Sequence, residues 1–415
     1  MPRTVPSTID GLGGGLQHGP MSKPTLLQHL DPAQGPKRIL ALDGGGVRGI
    51  VSLQYLKHME ALLRQRRSDP GYVLADYFDL IGGTSTGAII AAGLAQGMDT
   101  AQIELLYRDL AARIFKRRWF RWGALTPKFG RRELQIALQR AYGVDTTLAS
   151  GTLRTGLMIM SKRMDTGSPW PLSNHPSDPY FSPVPGKKRI GHANMYLWQV
   201  VRASTAAPHY FKPERLEVGH LSDAQTGRTV AEVGEFIDGG VTTANNPSLQ
   251  LLKVALLKGF AFNWNTGPER LLLVSVGTGL PPRHRGLSKG WRRFAAPFAM
   301  NALKSIMDDC NAEVETLMQW LSVSDTARRI NGQIGALEQD RLAAPGLFTY
   351  QRYNLQFEAD WMRRELGQAL DATRLDALAQ MDRPEHMDEL ARLAALSAQA
   401  HLLPAHLPAA FDPPP

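Results

Sequence analysis

The feature that most constrains the fold is a serine between glycines, placed after an apolar run. Residues 83–87 read Gly-Thr-Ser-Thr-Gly, which is the G-x-S-x-G spacing with Ser85 at its centre. Apolar residues before it predict the end of a buried strand, and the small residues 88–94 predict a helix. A sharp strand-to-helix turn exposes a serine hydroxyl only where the neighbouring side chains are tiny. The new helix also directs N–H groups towards a developing oxyanion, so this stretch predicts a nucleophile elbow.

A glycine-rich segment stands earlier in the chain, between a predicted strand at 37–43 and a helix at about 50–67. It reads Gly-Gly-Gly-Val-Arg-Gly over 44–49 and matches G-x-G-x-x-G, the dinucleotide-binding fingerprint. That fingerprint predicts an acidic residue at the end of the next strand, roughly 20 residues further on. Residues 62–71 instead read as a helix end and a turn. The other use of the same geometry is an oxyanion cradle built from glycine N–H groups, which we favour.

A third motif, Asp238-Gly-Gly, follows a short apolar strand and precedes a helix at 248–262. An isolated Asp-Gly-Gly is usually only a turn. Further strands are predicted near 153–160 and 270–276, the latter ending in Gly-Thr-Gly at 277–279.

Taken together, the three motifs resemble those of the patatin-like phospholipases, over roughly residues 38–280. The resemblance implies a three-layer α/β/α fold with a largely parallel central sheet. It implies that Ser85 is the nucleophile and Asp238 its base, and that no cofactor or metal takes part. The oxyanion hole would be formed by N–H groups of Gly44, Gly45 and Gly46. The other motif residues, which would support these groups, are Arg48, Gly49, Gly83, Gly87, Gly239 and Gly240. Arg48 would stabilise the loop or bind a phosphate.

A carboxylate is a weak base at neutral pH unless burial raises its pKa, so we expect Asp238 in a partly desolvated pocket. The alternative base is a histidine, for which His209 is the best placed. Ser204 and Thr205, in a helix of small residues, are alternative nucleophiles, but no elbow precedes them and we predict a packing role.

The net charge of +9 favours anionic partners. Basic residues alternate with Trp and Phe over 115–122, a pattern that suits an anionic membrane surface. The candidate interface residues are Arg117, Arg118, Trp119, Arg121 and Trp122. The alternatives are a solvated helix end with two core tryptophans, and nucleic-acid binding, for which no groove-reading motif is present, so we expect no specific nucleic-acid partner.

The expected organisation is a disordered tail at 1–36, a catalytic core at 37–280, a mainly helical extension at 281–405 and a frayed terminus at 406–415. We expect a proline-rich loop at 168–187 and a late edge strand at 348–357. The first residues lack the apolar region of a secretory signal, and the longest apolar stretches are shorter than the ~20 residues that span a bilayer. These features predict a cytoplasmic protein that can associate with the inner face of the membrane.

The expected function is hydrolysis of acyl esters in membrane phospholipids through a Ser–Asp dyad and an acyl-enzyme. Two alternatives remain open. One is an effector phospholipase of bacterial antiphage defence that a regulatory cyclic nucleotide activates. The other is a non-catalytic lipid-binding module that retains a vestigial elbow.

Overall fold

The computed structural model describes residues 23–114, 131–183, 189–208, 210–222, 229–281, 295–337 and 339–414. The described residues contain eight strands, which form one mixed, mostly parallel sheet. The strands are β1 (Lys37–Leu42), β2 (Leu80–Thr84), β3 (Gly156–Arg163), β4 (Ser168–Ser173), β5 (Glu214–Ser222), β6 (Thr229–Asp238), β7 (Leu271–Val276) and β8 (Thr349–Tyr353).

The strand order is β5-β6-β3-β2-β1-β7-β8, with β4 paired to β3 outside this order. Strands β3, β2, β1, β7 and β8 run parallel, whereas β4, β5 and β6 join by antiparallel pairing. The carboxyl ends of neighbouring parallel strands meet at one edge of a sheet, which is where ligands bind in open α/β folds. The loops after β1, β2 and β7 therefore emerge side by side.

Helices connect and flank these strands. They are α1 (Leu26–Leu30), α2 (Gly49–Arg67), α3 (Leu74–Tyr77), α4 (Thr86–Ala95), α5 (Thr100–Ile114), α6 (Arg131–Tyr142), α7 (Leu197–Ser204), α8 (Ser248–Leu256), α9 (Ala295–Leu321), α10 (Ala359–Leu366), α11 (Ala372–Leu378) and α12 (Met387–His401).

The side chains of β1 alternate between two hydrophobic cores, which shows that the sheet lies between two layers of helices. Leu40 and Leu42 belong to a hydrophobic core that includes α2, α4 and α12, whereas Ile39 and Ala41 belong to a second core that includes α8 and α9. Successive side chains of a strand point to opposite faces, so the two cores lie on opposite faces of the sheet. Helices thus cover both faces, which confirms the predicted α/β class.

Three predictions about peripheral segments were wrong. Residues 26–30, placed in the tail, form a helix that Thr25 caps, and Leu30 packs into the core. The proline-rich residues 168–173 form β4, an antiparallel strand paired to β3, where a proline at a sheet edge is tolerated. The terminus is not frayed at Phe411, whose side chain is buried and whose carbonyl accepts a hydrogen bond from Arg38 at 2.9 Å.

A buried ion pair supports the amino ends of β1 and β2. Arg38 donates through Nε and Nη2 to the two carboxylate oxygens of Asp79, both at 2.8 Å, and His29 Nδ1 lies 2.8 Å from Oδ1. Burial alone would raise the pKa of Asp79, but Arg38 and His29 lower it to about 2. The carboxylate therefore stays charged at the base of the sheet.

No helix in the described part of the chain is both long enough and apolar enough to cross a membrane.

Candidate functional site

Ser85 lies at a strained turn between β2 and α4. Its backbone adopts φ 54° and ψ −119°, an uncommon conformation for a residue with a side chain. A Cβ atom at Gly83 would lie 2.2 Å from the carbonyl oxygen of Gly87, and one at Gly87 would lie 2.2 Å from that of Leu42. Both flanking positions must therefore be glycine for this turn to form.

Asp238 reaches the same place through the antiparallel strand β6. Thr84 is in register with Met160 of β3, and the next residue of β3, Ser161, is in register with Asp238. The Ser85 hydroxyl donates to Asp238 Oδ2 at 2.5 Å, and the N–H of Gly240 donates to Oδ1 at 2.7 Å. The structure thus brings together two residues that are 153 positions apart in the chain.

Asp238 as a whole residue is only 5% exposed. Burial raises its pKa to about 6, although the hydrogen bonds from Ser85 and Gly240 act in the opposite direction. A pKa near 6 makes the carboxylate a stronger base than an exposed aspartate and leaves it mostly ionised at neutral pH.

The glycine loop after β1 differs from the prediction at Gly44. The N–H of Gly44 donates to the carbonyl oxygen of Asn245 at 3.1 Å, so this group is not available to an oxyanion. In contrast, the N–H groups of Gly45 and Gly46 have no acceptor among the described residues, and both residues line the cavity beside Ser85. Of the three glycine N–H groups predicted to bind an oxyanion, this geometry therefore leaves two without a described acceptor.

Carbonyl partners explain the orientation of these N–H groups. The carbonyl of Gly44 accepts a hydrogen bond from Thr278 Oγ1 at 3.0 Å, and that of Gly45 accepts one from the Arg48 N–H at 3.3 Å. In a trans peptide the C=O and N–H groups point in opposite directions. Fixing these two carbonyls therefore turns the N–H groups of Gly45 and Gly46 to the other side.

The remaining motif residues lie directly behind the site. Arg48 is buried, donates to the carbonyl of Ala379 at 3.2 Å and lies over the Phe357 ring. A Cβ atom on Gly49 would lie 2.0 Å from Thr86 Cγ2, and one on Gly239 would lie 2.5 Å from the Met160 carbonyl. On Gly240 it would lie 2.9 Å from Asn245 Oδ1. A side chain at Gly239 would therefore clash with the backbone, and one at Gly49 or Gly240 would displace a neighbouring side chain.

A mainly apolar cavity of about 140 Å³ opens beside the Ser85 hydroxyl. One water molecule needs roughly 10–15 Å³ by this measure, so the cavity holds a ligand segment of several atoms. Its walls come from α4, α5, α6, α9 and the segment after α7, and include Ile89, Leu110, Ala111, Leu134, Phe211 and Met307. In the described part of the chain, no group of three or more His, Cys, Asp and Glu side chains is arranged to hold a metal ion.

A family model described as patatin-like phospholipase matches residues 40–252. The chain belongs to the patatin-like phospholipase family. It is 30% identical over 246 residues to a cGAMP-activated phospholipase of Escherichia coli, covering 58% of this chain and 62% of the relative. It is 30% identical over 239 residues to a cGAMP-activated phospholipase of Vibrio cholerae, covering 55% and 59%. The matches thus span about three fifths of the length of these relatives.

Plant members of the family and solved structures are also similar to this patatin-like chain. Patatin-17 of Solanum cardiophyllum is 28% identical over 255 residues, covering 58% of this chain and 60% of the relative. Among solved structures, human GIVD cytosolic phospholipase A2 aligns with a TM-score of 0.41 and 12% identity, covering 93% of this chain and 61% of that chain.

Ser204 has a role at this patatin-like site that the sequence did not indicate. Its hydroxyl accepts a hydrogen bond from the Ser85 N–H at 2.9 Å and donates to the carbonyl of Met160 at 2.5 Å. The side chain is fully buried, so it is not a rival nucleophile. The one sequence signal for this role is a serine within the run of small residues at 203–207, and that signal is weak.

Two sets of predicted residues are not part of this geometry. His209, the alternative base, and the interface candidates Arg117, Arg118, Trp119, Arg121 and Trp122 all lie outside the described residues. Among the described residues, no histidine is hydrogen-bonded to Ser85 or Asp238.

Proposed function

We propose that this chain is a lipid acyl hydrolase of the phospholipase A type, which cleaves ester bonds of membrane phospholipids through Ser85 and Asp238. The observation that carries the proposal is the 2.5 Å hydrogen bond from the Ser85 hydroxyl to the buried Asp238 carboxylate. The family of the chain, the open N–H groups of Gly45 and Gly46 and the apolar cavity support it.

In the first half-reaction Ser85 Oγ attacks the ester carbonyl carbon while its proton passes to Asp238 Oδ2. The carbonyl electrons move to the oxygen, and the N–H groups of Gly45 and Gly46 stabilise the resulting oxyanion. When this intermediate collapses, the bond to the glycerol oxygen breaks and the departing alcohol takes the proton from Asp238. The acyl group remains on Ser85 as an ester.

The second half-reaction repeats these steps with water. Asp238 accepts a proton from the water molecule as its oxygen attacks the acyl carbon, and the same glycine N–H groups stabilise the second oxyanion. The bond between Ser85 Oγ and the acyl carbon then breaks, and Ser85 regains its proton. The fatty acid is released and the enzyme returns to its starting state.

The apolar cavity supports the proposal that a long acyl chain of the substrate binds beside Ser85. Its lining is mainly apolar, although Lys304 and Asn245 also contribute to it, so burial of methylene groups is favourable at ~0.8 kcal/mol each. Residues 115–122 are proposed to contact the anionic membrane surface, which would bring the enzyme to its substrate. If charge reversal at Arg117, Arg118 and Arg121 left vesicle binding and vesicle hydrolysis unchanged, that membrane role would be wrong.

The test is mass-spectrometric analysis of the products formed from mixed natural lipids. Wild-type protein should release free fatty acids and lysophospholipids, whereas Ser85→Ala and Asp238→Ala should release almost none. His209→Ala is the matched control, because it removes the alternative base and should retain activity. A fluorophosphonate probe should label wild-type protein at Ser85; absence of labelling would favour the non-catalytic lipid-binding module.

A second proposal concerns regulation. Two of the relatives are described as cGAMP-activated phospholipases, and the net charge of +9 suits an anionic nucleotide. We therefore propose that a cyclic dinucleotide activates this chain. Hydrolysis rates measured with and without a panel of cyclic dinucleotides test this, and an identical rate under all conditions would contradict it.

A further inference from the structure

The loop that carries Gly45 and Gly46 is fastened from parts of the chain beyond residue 252, where the family match ends. Three glycines in a row have little conformational preference of their own, because no Cβ restricts their dihedral angles. The orientation of their N–H groups must therefore come from the contacts that surround the loop.

Thr278 makes the most direct of these contacts. It follows β7, whose Val276 is in register with Leu42 at the end of β1, and its hydroxyl donates to the Gly44 carbonyl at 3.0 Å. The side chain is 3% exposed, and a Cβ atom on Gly45 would lie 2.1 Å from Thr278 Oγ1. This one hydrogen bond fixes the peptide unit whose other end is the Gly45 N–H.

Arg352 fastens the residue at which the loop begins. From β8 it donates through Nη1 and Nη2 to the two carboxylate oxygens of Asp43, at 2.9 Å and 2.6 Å, and Nη1 also donates to Ser275 Oγ at 2.7 Å. Both charged groups are buried. A buried bidentate pair is rigid, since rotation of either side chain breaks two charge-assisted hydrogen bonds.

The far end of the loop is held by the segment after α11. The N–H of Val47 donates to the carbonyl of Met381 at 2.9 Å. Gly46 adopts φ 59°, and a Cβ atom there would lie 2.3 Å from the same Met381 oxygen. Residues beyond 252 thus contact the loop both near its start and at its far end, while Asn245 and Thr86 hold it from within the matched region.

We propose that Thr278 and Arg352 are positioning residues that aim the N–H groups of Gly45 and Gly46 at the oxyanion. The inference rests on the proposed hydrolysis at Ser85. Neither residue touches the substrate; each acts through a peptide unit of the loop. Loss of either contact frees the glycine peptides to rotate, which removes stabilisation in the transition state while leaving the acyl cavity intact.

The decisive variant is Thr278→Val, which keeps the shape of the side chain and removes the hydroxyl. Its matched control is Thr155→Val, because Thr155 is also buried and donates to a backbone carbonyl, that of Phe78, at the opposite end of the strands. We expect Thr278→Val to lower kcat for a soluble short-chain ester by about 10- to 100-fold with KM changed less than about twofold, since small misplacements of catalytic groups have effects of this size. Thr155→Val should lower the melting temperature similarly but retain kcat, and Thr278→Ser should recover most of the activity.

Hydrogen–deuterium exchange provides a readout that does not depend on hydrolysis. The amides of Gly44 and Val47 are hydrogen-bonded in the intact loop, and we expect them to exchange at least about tenfold faster in Thr278→Val and Arg352→Gln. Arg38→Gln, which breaks the buried pair at the other end of the sheet, should leave these two amides unchanged. Because a general loss of stability can also accelerate exchange, the Arg38→Gln control separates a local change in the loop from a global one.

The proposal is overturned if kcat of Thr278→Val stays within about twofold of that of Thr155→Val. It is also overturned if kcat falls while exchange of the Gly44 and Val47 amides remains that of wild type. If instead Ser85→Ala retained full activity, the proposed function would fail, and the exchange measurement would still decide whether Thr278 and Arg352 hold the loop.

Discussion

Replacing Asp238 with asparagine should stabilise the fold at neutral pH while it abolishes hydrolysis. The wild-type aspartate is 5% exposed as a whole residue, and the folded protein must keep its charge away from water. An asparagine amide can still accept the hydrogen bond from the Gly240 N–H and can donate to Ser85 Oγ. The substitution therefore removes a buried charge and preserves the local hydrogen bonds.

The size of the effect follows from the pKa of Asp238. Burial raises that pKa from 3.8 to about 6, and at 1.36 kcal/mol per pH unit the difference corresponds to about 3 kcal/mol. Between pH 4 and 6 the folded protein binds more protons than the unfolded chain, so wild-type stability falls as the pH rises through this window. Above pH 6 the buried charge of Asp238 destabilises the folded wild-type protein by the full amount, whereas the Asp238→Asn variant has no charge at this position. Removing a destabilisation of about 3 kcal/mol should raise the melting temperature by about 3 °C, given the unfolding entropy typical of a chain of 415 residues.

The assay is thermal unfolding of wild type, Asp238→Asn and Ser85→Ala at pH 7.5 and at pH 4. The asparagine variant should melt higher than wild type at pH 7.5, and the gain should vanish at pH 4. Ser85→Ala is the matched control, because it is equally inactive but leaves the carboxylate buried, so it should show no gain. A lower melting temperature of Asp238→Asn at pH 7.5, or a gain that does not change with pH, would refute this reasoning.

Three further predictions concern the rate. With the pKa of Asp238 raised to about 6 by burial, kcat/KM for a soluble ester should fall about tenfold per pH unit below pH 6, and a flat profile down to pH 4.5 would contradict its role as base. Ala111→Trp should fill the acyl cavity, so that hydrolysis of long-chain esters falls more than about tenfold while short-chain esters are retained; equal losses for both lengths would place the acyl chain elsewhere. Ser204→Ala removes the hydroxyl that holds the Ser85 N–H and should lower kcat by about tenfold or more with little change in KM; unchanged steady-state rates would show that the elbow holds its own shape.

Local patterns were enough to predict the elbow and the central strands. A tight turn needs glycine and a buried strand needs apolar residues, and both requirements are visible in neighbouring residues. These local requirements predict the strand before Ser85, the glycines at 83 and 87, and the strand that ends at Asp238. The strands predicted near 37–43, 153–160 and 270–276 differ from β1, β3 and β7 by at most a few residues at their ends.

Contacts between distant residues could not be predicted in the same way. Arg352 and Asp43 are 309 positions apart, and nothing in the residues around either one indicates the other. The bond from the Gly44 N–H to Asn245 depends on how the segment after β6 folds back. Strand β4 was missed because its prolines predict a loop, and only its pairing to β3 makes it a strand.

Two buried aspartates on this sheet show how the surroundings determine what a carboxylate does. Asp79 receives two hydrogen bonds from Arg38, and its pKa falls to about 2 against the effect of burial. Its charge therefore stabilises the fold above about pH 4, and this contribution is lost as the pH falls towards 2. Asp238 is equally enclosed, but its two direct hydrogen-bond donors, Ser85 and Gly240, are neutral, so burial prevails and raises its pKa to about 6. The charge of Arg202 also acts to lower this pKa, but no cation is among the direct donors, and a raised pKa is what the proposed role of Asp238 as the base for Ser85 requires. The burial that raises the pKa of Asp238 also destabilises the folded protein at neutral pH, whereas the buried ion pair of Arg38 and Asp79 at the other end of the sheet acts in the opposite direction.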